Sequence, residues 1–151
     1  MKAILFGTLI VTLALAAPAM SVDHGVAPTA RQHVDGQVSA VDASTGMVSV
    51  ASASGTVQLQ FPPDTIRSLK KGAPIVIDYA LFKGSPARPN MPNGAGAHQV
   101  AGTVERIDHK KGLVEVKTDQ TQLTLRFPAK AVRDVNQGDP VTIGMAFHRH
   151  L

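Results

Sequence analysis

The stretch from residue 34 to residue 80 recurs 66 positions later in the same 151-residue chain. Without a gap, Val34 falls on Val100, Gly36 on Gly102, Val38 on Val104, Asp42 on Asp108, Gly46 on Gly112, Val48 on Val114 and Val50 on Val116. The register continues through Leu59 and Leu125, Phe61-Pro62 and Phe127-Pro128, Arg67 and Arg133, Gly72 and Gly138, Pro74 and Pro140, Ile77 and Ile143. A fixed period constrains architecture more than any local propensity, because each copy must solve the same packing problem. The pattern predicts one unit used twice, at 34–82 and 98–151, separated by 83–97.

Each unit reads as four strands and one short helical turn. The first strand, 36–41 and 102–107, carries apolar residues at Val38 and Val41, out of step with a two-residue period, which predicts a bulge or strong twist. Asp42 to Gly46 and Asp108 to Gly112 are turn sequences. The second strand places Val48 and Val50 (Val114 and Val116) on one face, and the third places Val57, Leu59 and Phe61 (Leu123, Leu125 and Phe127) there, an alternation that marks half-buried strands. Pro62 and Pro128 end the third strand, since proline has no amide to give a ladder. Ile66 and Leu69, like Val132 and Val135, are three apart and fit one helical turn plugging a barrel end. Ile75, Ile77, Tyr79 and Leu81 (Val141, Ile143, Met145 and Phe147) form the inward face of the fourth strand. The fold expected is all-β: two tandem small OB-like or SH3-like barrel units, packed together or exchanging strands because units this small bury little surface alone.

The N-terminal residues predict export of the chain. Met1 and Lys2 precede an apolar run from Ala3 to Leu15, then small residues with Ala17 and Ala19 at the positions a leader peptidase reads. Residues 1–19 are therefore expected to be a signal peptide, 20–33 a flexible segment, and the destination periplasmic or secreted. The leader is shorter than the roughly twenty apolar residues of a membrane-spanning helix, and no later segment is apolar for as long. Cysteine is absent, so stability rests on the core alone. The proline- and glycine-crowded 83–97 reads as a linker or surface loop.

The net charge is +4, with the excess interleaved with acids, as in Glu105-Arg106, and the phenylalanines alternate into the core. Neither feature suits a nucleic acid, which wants exposed stacking rings. The expected partner is a protein or an envelope component.

The order of strand, Asp turn, strand, strand ending in Arg-Phe or Gln-Phe, short helix and Gly-Asp-x-Val resembles the small OB-like barrel of periplasmic copper- and silver-efflux chaperones. Gly102-Thr103-Val104-Glu105-Arg106-Ile107-Asp108, Leu123-Thr124-Leu125-Arg126-Phe127 and Gly138-Asp139-Pro140-Val141 carry the likeness. The resemblance implies the fold alone. That family's Met-x-Met pair is replaced by Leu123 and Leu125, or Val57 and Leu59; its histidine position falls near Lys117 or Ala51; and tryptophan is absent. Leucine has no lone pair for Cu(I).

No nucleophile–base pair, phosphate-cradling glycine loop or His-Glu-x-x-His string occurs, and the Asp42 and Asp108 turns are explained by Asx-type hydrogen bonds. The reading is a non-enzymatic exported binding or structural module without a cofactor. The alternative is a metal-binding protein: among His24, His33, His98, His109, His148 and His150, the pair His148 and His150 are two apart and would project from one face of a continuing strand to hold copper or zinc. His33 and His98 flank the starts of the two units. Met20, Met91 and Met145 are candidate thioether ligands, with Met145 at an inward position. Lys70-Lys71 and Lys110-Lys111 read as solvated turns.

Overall fold

A computed structural model describes residues 26–149; the leader 1–19, the first six residues of 20–33 with Met20 and His24, and His150 lie outside the described residues. The described chain is all-β. Eight antiparallel strands follow in order: β1 Ala30–Asp42, β2 Met47–Ser52, β3 Gly55–Gln60, β4 Pro74–Lys83, β5 Ala95–Asp108, β6 Leu113–Thr118, β7 Gln122–Arg126 and β8 Pro140–Arg149. Short 3-10 turns at Pro63–Thr65 and Ala129–Val132 complete it. The strands close one barrel in the order β1-β2-β3-β7-β6-β5-β8-β4, so both halves of the chain share a single wall.

The ladders of the two halves match. β1 meets β2 with Val38 opposite Val50, and β5 meets β6 with Val104 opposite Val116, each followed by a register shift, at 38/40 and 104/106. The broken period therefore marks a bulge. At the two seams between halves, the ladder is centred on a residue and its own counterpart: Tyr79 pairs with Met145 across β4 and β8, and Gln58 with Thr124 across β3 and β7, both 66 positions apart.

Sterics explain two of the shared glycines. A Cβ on Gly36 would stand 2.3 Å from Ala51 O, where β1 turns from β4 toward β2. Gly46 has φ +84° and its Cβ would sit 2.0 Å from Phe61 O, so the turn between β1 and β2 can close against β3 because no side chain intervenes. In that turn Asp42 Oδ1 accepts from the Ser44 hydroxyl at 2.6 Å and amide at 3.0 Å, and these bonds hold its carboxyl below the ordinary range. Asp108 accepts from Lys110 N at 3.0 Å in the same way.

Side chains fill the interior, as the width of an eight-stranded barrel allows. Val48, Val50, Val57, Leu59, Phe61, Ile75, Ile77, Leu81 and their counterparts in the second half are buried together, with Ile66, Leu69, Val132 and Val135 packed on the same core. Tyr79 spans it. Its hydroxyl donates to Arg126 O and accepts from Arg126 N at 3.1 Å, joining β4 to the non-adjacent β7. Burial pushes the phenol up to about 12, outweighing its bond to the Arg126 backbone.

Two segments differ from the sequence reading. β1 starts at Ala30, because Ala30 and Val34 already alternate inward and pair along β4 from Leu81 to Ile77. The segment after β4, read as a linker or surface loop, is a strap hydrogen-bonded to the barrel. Gly84 N donates to Pro140 O, Thr142 Oγ1 donates to Gly84 O, and Val26 bonds Arg88 and Asn90. Met91 then covers Gly144, where a Cβ would lie 2.6 Å from the thioether sulfur, before the chain enters β5 at Ala95. Beneath this path the outward-facing Ala80, Phe82 and Ala146 are also buried, so this part of the β4–β8 wall is dry on both faces.

Candidate functional site

With the barrel interior packed, polar chemistry collects on the outside. β4 lies between β1 and β8. His33 on β1 stands directly opposite Asp78 on β4; Asp78 stands opposite Ala146 on β8, so His148 is one diagonal step away. Side chains alternate along strands, and all three project outward from adjacent strands of one wall.

They meet there. His33 Nδ1 lies 2.7 Å from Asp78 Oδ1 and His148 Nε2 3.3 Å from Asp78 Oδ2. A carboxylate only accepts, so the His33 nitrogen facing it carries the proton. Asp78 is the least exposed of the three side chains, at 27% against 66% for His33 and 49% for His148. Arg31, Gln32, Pro92 and Asn93 complete a cleft of about 570 Å3. The strap forms one side of it: a Cβ on Gly94 would lie 3.0 Å from His148 Cε1.

The positions related to these three by the 66-residue offset carry no such cluster. Sixty-six positions from His33 is Gln99, from Asp78 is Gly144, and the counterpart of His148 is Phe82. The fold closes equally well with an amide, a glycine and a phenylalanine, so the wall itself does not require the charged set.

The remaining candidates are dispersed. His98 does not join His33; its Nδ1 donates to Gly96 O at 2.7 Å and its ring tilts on Phe61 at 5.6 Å. It borders a second cleft, of about 510 Å3, with Ser44, Thr45 and Gln120, where Gln60 Nε2 donates to Thr45 O at 3.0 Å and Gln120 Oε1 at 2.8 Å. His109 Nε2 donates to Val135 O at 2.7 Å. Met145 is buried in the core. Val57, Leu59, Leu123 and Leu125, where the efflux chaperones carry thioethers, are core residues as well. The described residues contain no group of three or more His, Cys, Asp or Glu that could hold a metal ion, and no helix long and apolar enough to cross a membrane.

Sequence reasoning passed over Asp78. Its signal was present: it is the one charge within Ile75-Val76-Ile77-Asp78-Tyr79-Ala80-Leu81-Phe82, a run whose remaining residues are fit for burial. Compared with known proteins, the chain matches no family model and no curated protein.

Proposed function

We propose that this chain is an exported, non-enzymatic barrel module that binds a protein or envelope component through the outer wall formed by β1, β4 and β8. The observation that carries the reading is the asymmetry of that wall: it brings together His33, Asp78 and His148, where the positions related to them by the 66-residue offset hold Gln99, Gly144 and Phe82. A solvated acid flanked by two rings, set in a cleft and absent from the matching place, is suited to contact with something outside the chain.

The same reading takes 1–19 as the export leader and the periplasm or medium as the destination. It takes 34–82 and 98–151 as two copies of one OB-like unit merged into a single barrel. Equal ladder registers support the duplication, and a long first strand that pairs with both the second and the fourth supports the OB-like kinship of each unit.

Site-specific photo-crosslinking in the exported fraction of the producing cell tests it. A crosslinker at position 33 should give one discrete adduct, and the same group at position 58, on the β3–β7 seam, should give none. Equal labelling from both positions, or turnover of any substrate that disappears with a single polar substitution, overturns the proposal.

A further inference from the structure

We infer that the cleft bordered by His98 and Gln60 binds a short, uncharged peptide segment in extended form, as a strand added at the rim of the barrel. The cleft lies between the end of β3, the first half of β5 and the turn from β6 to β7. It shares no lining residue with the cleft of His33, Asp78 and His148, and the inference does not rest on the reading given to that wall.

Two backbone edges border the cleft. Residues 98–101 pair with β8, but β5 meets β6 only from Gly102 on, so among the described residues the other edge of this stretch has no strand. On the β3 side, Phe61 N donates to Gly46 O. Antiparallel ladders alternate, so the N–H and carbonyl of Gln60 turn away from β2, and the only ladder pair toward β7 is Gln58 with Thr124. The matching groups of Arg126 are served by the Tyr79 hydroxyl; the counterpart of Tyr79 is Met145, which has none. An amide and a carbonyl of one residue facing the same side are what an added extended chain pairs with.

The side chains supply matching chemistry. Gln60 Nε2 donates to Thr45 O and to Gln120 Oε1, which leaves the Gln60 oxygen as an acceptor and the Gln120 nitrogen as a donor. His98 gives its Nδ1 proton to Gly96 O, so in the neutral ring Nε2 presents a lone pair. Val100, Pro62 and Pro63 add apolar surface, and none of the described lining residues carries a carboxylate, ammonium or guanidinium. A sugar ring finds no aromatic face to stack on, because Phe61 is 1% exposed. The volume of about 510 Å3 falls among ligand clefts.

The corresponding rim of the other half is sealed. Val34, the counterpart of Val100, is 5% exposed, whereas Val100 is half-buried. Arg126, the counterpart of Gln60, lays its guanidinium over Gly55, where a Cβ would stand 2.6 Å from Cζ, and its Nε is buried. The duplicated fold therefore closes this rim when the side chains are long enough, and it does not account for the opening at His98.

An array of short end-blocked peptides without charged side chains, each beside a copy with proline at alternate positions, tests the site. The protein should retain members of the first set and none of the prolyl copies, since proline has no amide to donate. Adding a retained peptide should move the amide shifts of Gln60 and residues 98–101. Val100→Glu, which sets a charge in the cleft, and Gln120→Ala, at an exposed turn, should each weaken binding about three-fold or more, with His109→Ala unchanged and circular dichroism checking the strands. Retention of no peptide, equal retention of the prolyl copies, affinity unchanged in both variants, or shifts at the cleft with maltotriose and none with peptides overturns the inference.

Discussion

The hydroxyl of Tyr79 on β4 serves both backbone groups of Arg126 on β7, giving its proton to the carbonyl and accepting from the amide. These strands are not neighbours in the barrel, and β3 and β7 share a single ladder pair. Tyr79 therefore supplies to the end of β7 the bonds that a fuller seam would have made.

Tyr79→Phe keeps the ring and leaves two part-buried backbone groups of Arg126 without this partner. Such a loss costs about 1–3 kcal/mol, and urea unfolding should show a lower midpoint with an unchanged slope. Met145, its counterpart at the seam, has no hydroxyl; Met145→Leu should cost less than about 1.5 kcal/mol.

The chain has one tyrosine, so phenolate absorbance reports this group alone. Its folded value of about 12 exceeds the unfolded value of about 10, which means the fold favours the neutral phenol. The stabilisation is whole below about pH 10 and fades as pH rises through about 12, amounting to roughly 3 kcal/mol. A titration at 295 nm should give a midpoint near 12 in buffer and near 10 in urea; a midpoint near 10 in both would mean that the hydroxyl is solvated.

Glycine substitutions should separate backbone collisions from side-chain ones. Gly46→Ala forces a left-handed residue into the Phe61 carbonyl and should cost at least about 2 kcal/mol. Gly144→Ala meets the flexible end of Met91 and should cost about 1 kcal/mol or less, with faster proteolysis within the strap as the visible effect. Equal losses in thermal melts would contradict this difference.

Phe82 points out of the barrel yet is 1% exposed. Phe82→Ala should cost about 3–5 kcal/mol, whereas Val76→Ala, outward on the same strand and half-buried, should cost markedly less by urea unfolding. Similar small losses at both positions would show that the outer face of β4 is wet.

The inward residues of β2, β3, β4 and their counterparts were legible in the sequence, because period-two alternation as at Val48, Val50, Val57 and Leu59 states which face is dry. The bulge after Val38 was legible for the same reason. Alternation does not name a neighbour, so closure into one wall of eight strands was not. Nor was the strap: Met91 and Pro92 have no periodicity, and their seat at Gly144 is defined by the missing side chain of a residue more than fifty positions on. Of the candidate site, His148 stood out by its spacing from His150. His33 and Asp78 did not, since ladder register alone brings residues 45 positions apart into contact.

Two antiparallel seams, each centred on a residue and its own counterpart, have the form of an interface between identical subunits. Here that interface lies within one molecule, and the strap fixes the effective concentration at which its two sides find each other. A chain whose strap is too short to cross the β4–β8 wall would satisfy the same contacts by reciprocal exchange with a second molecule, and an interleaved dimer would replace the monomer with every strand pairing kept.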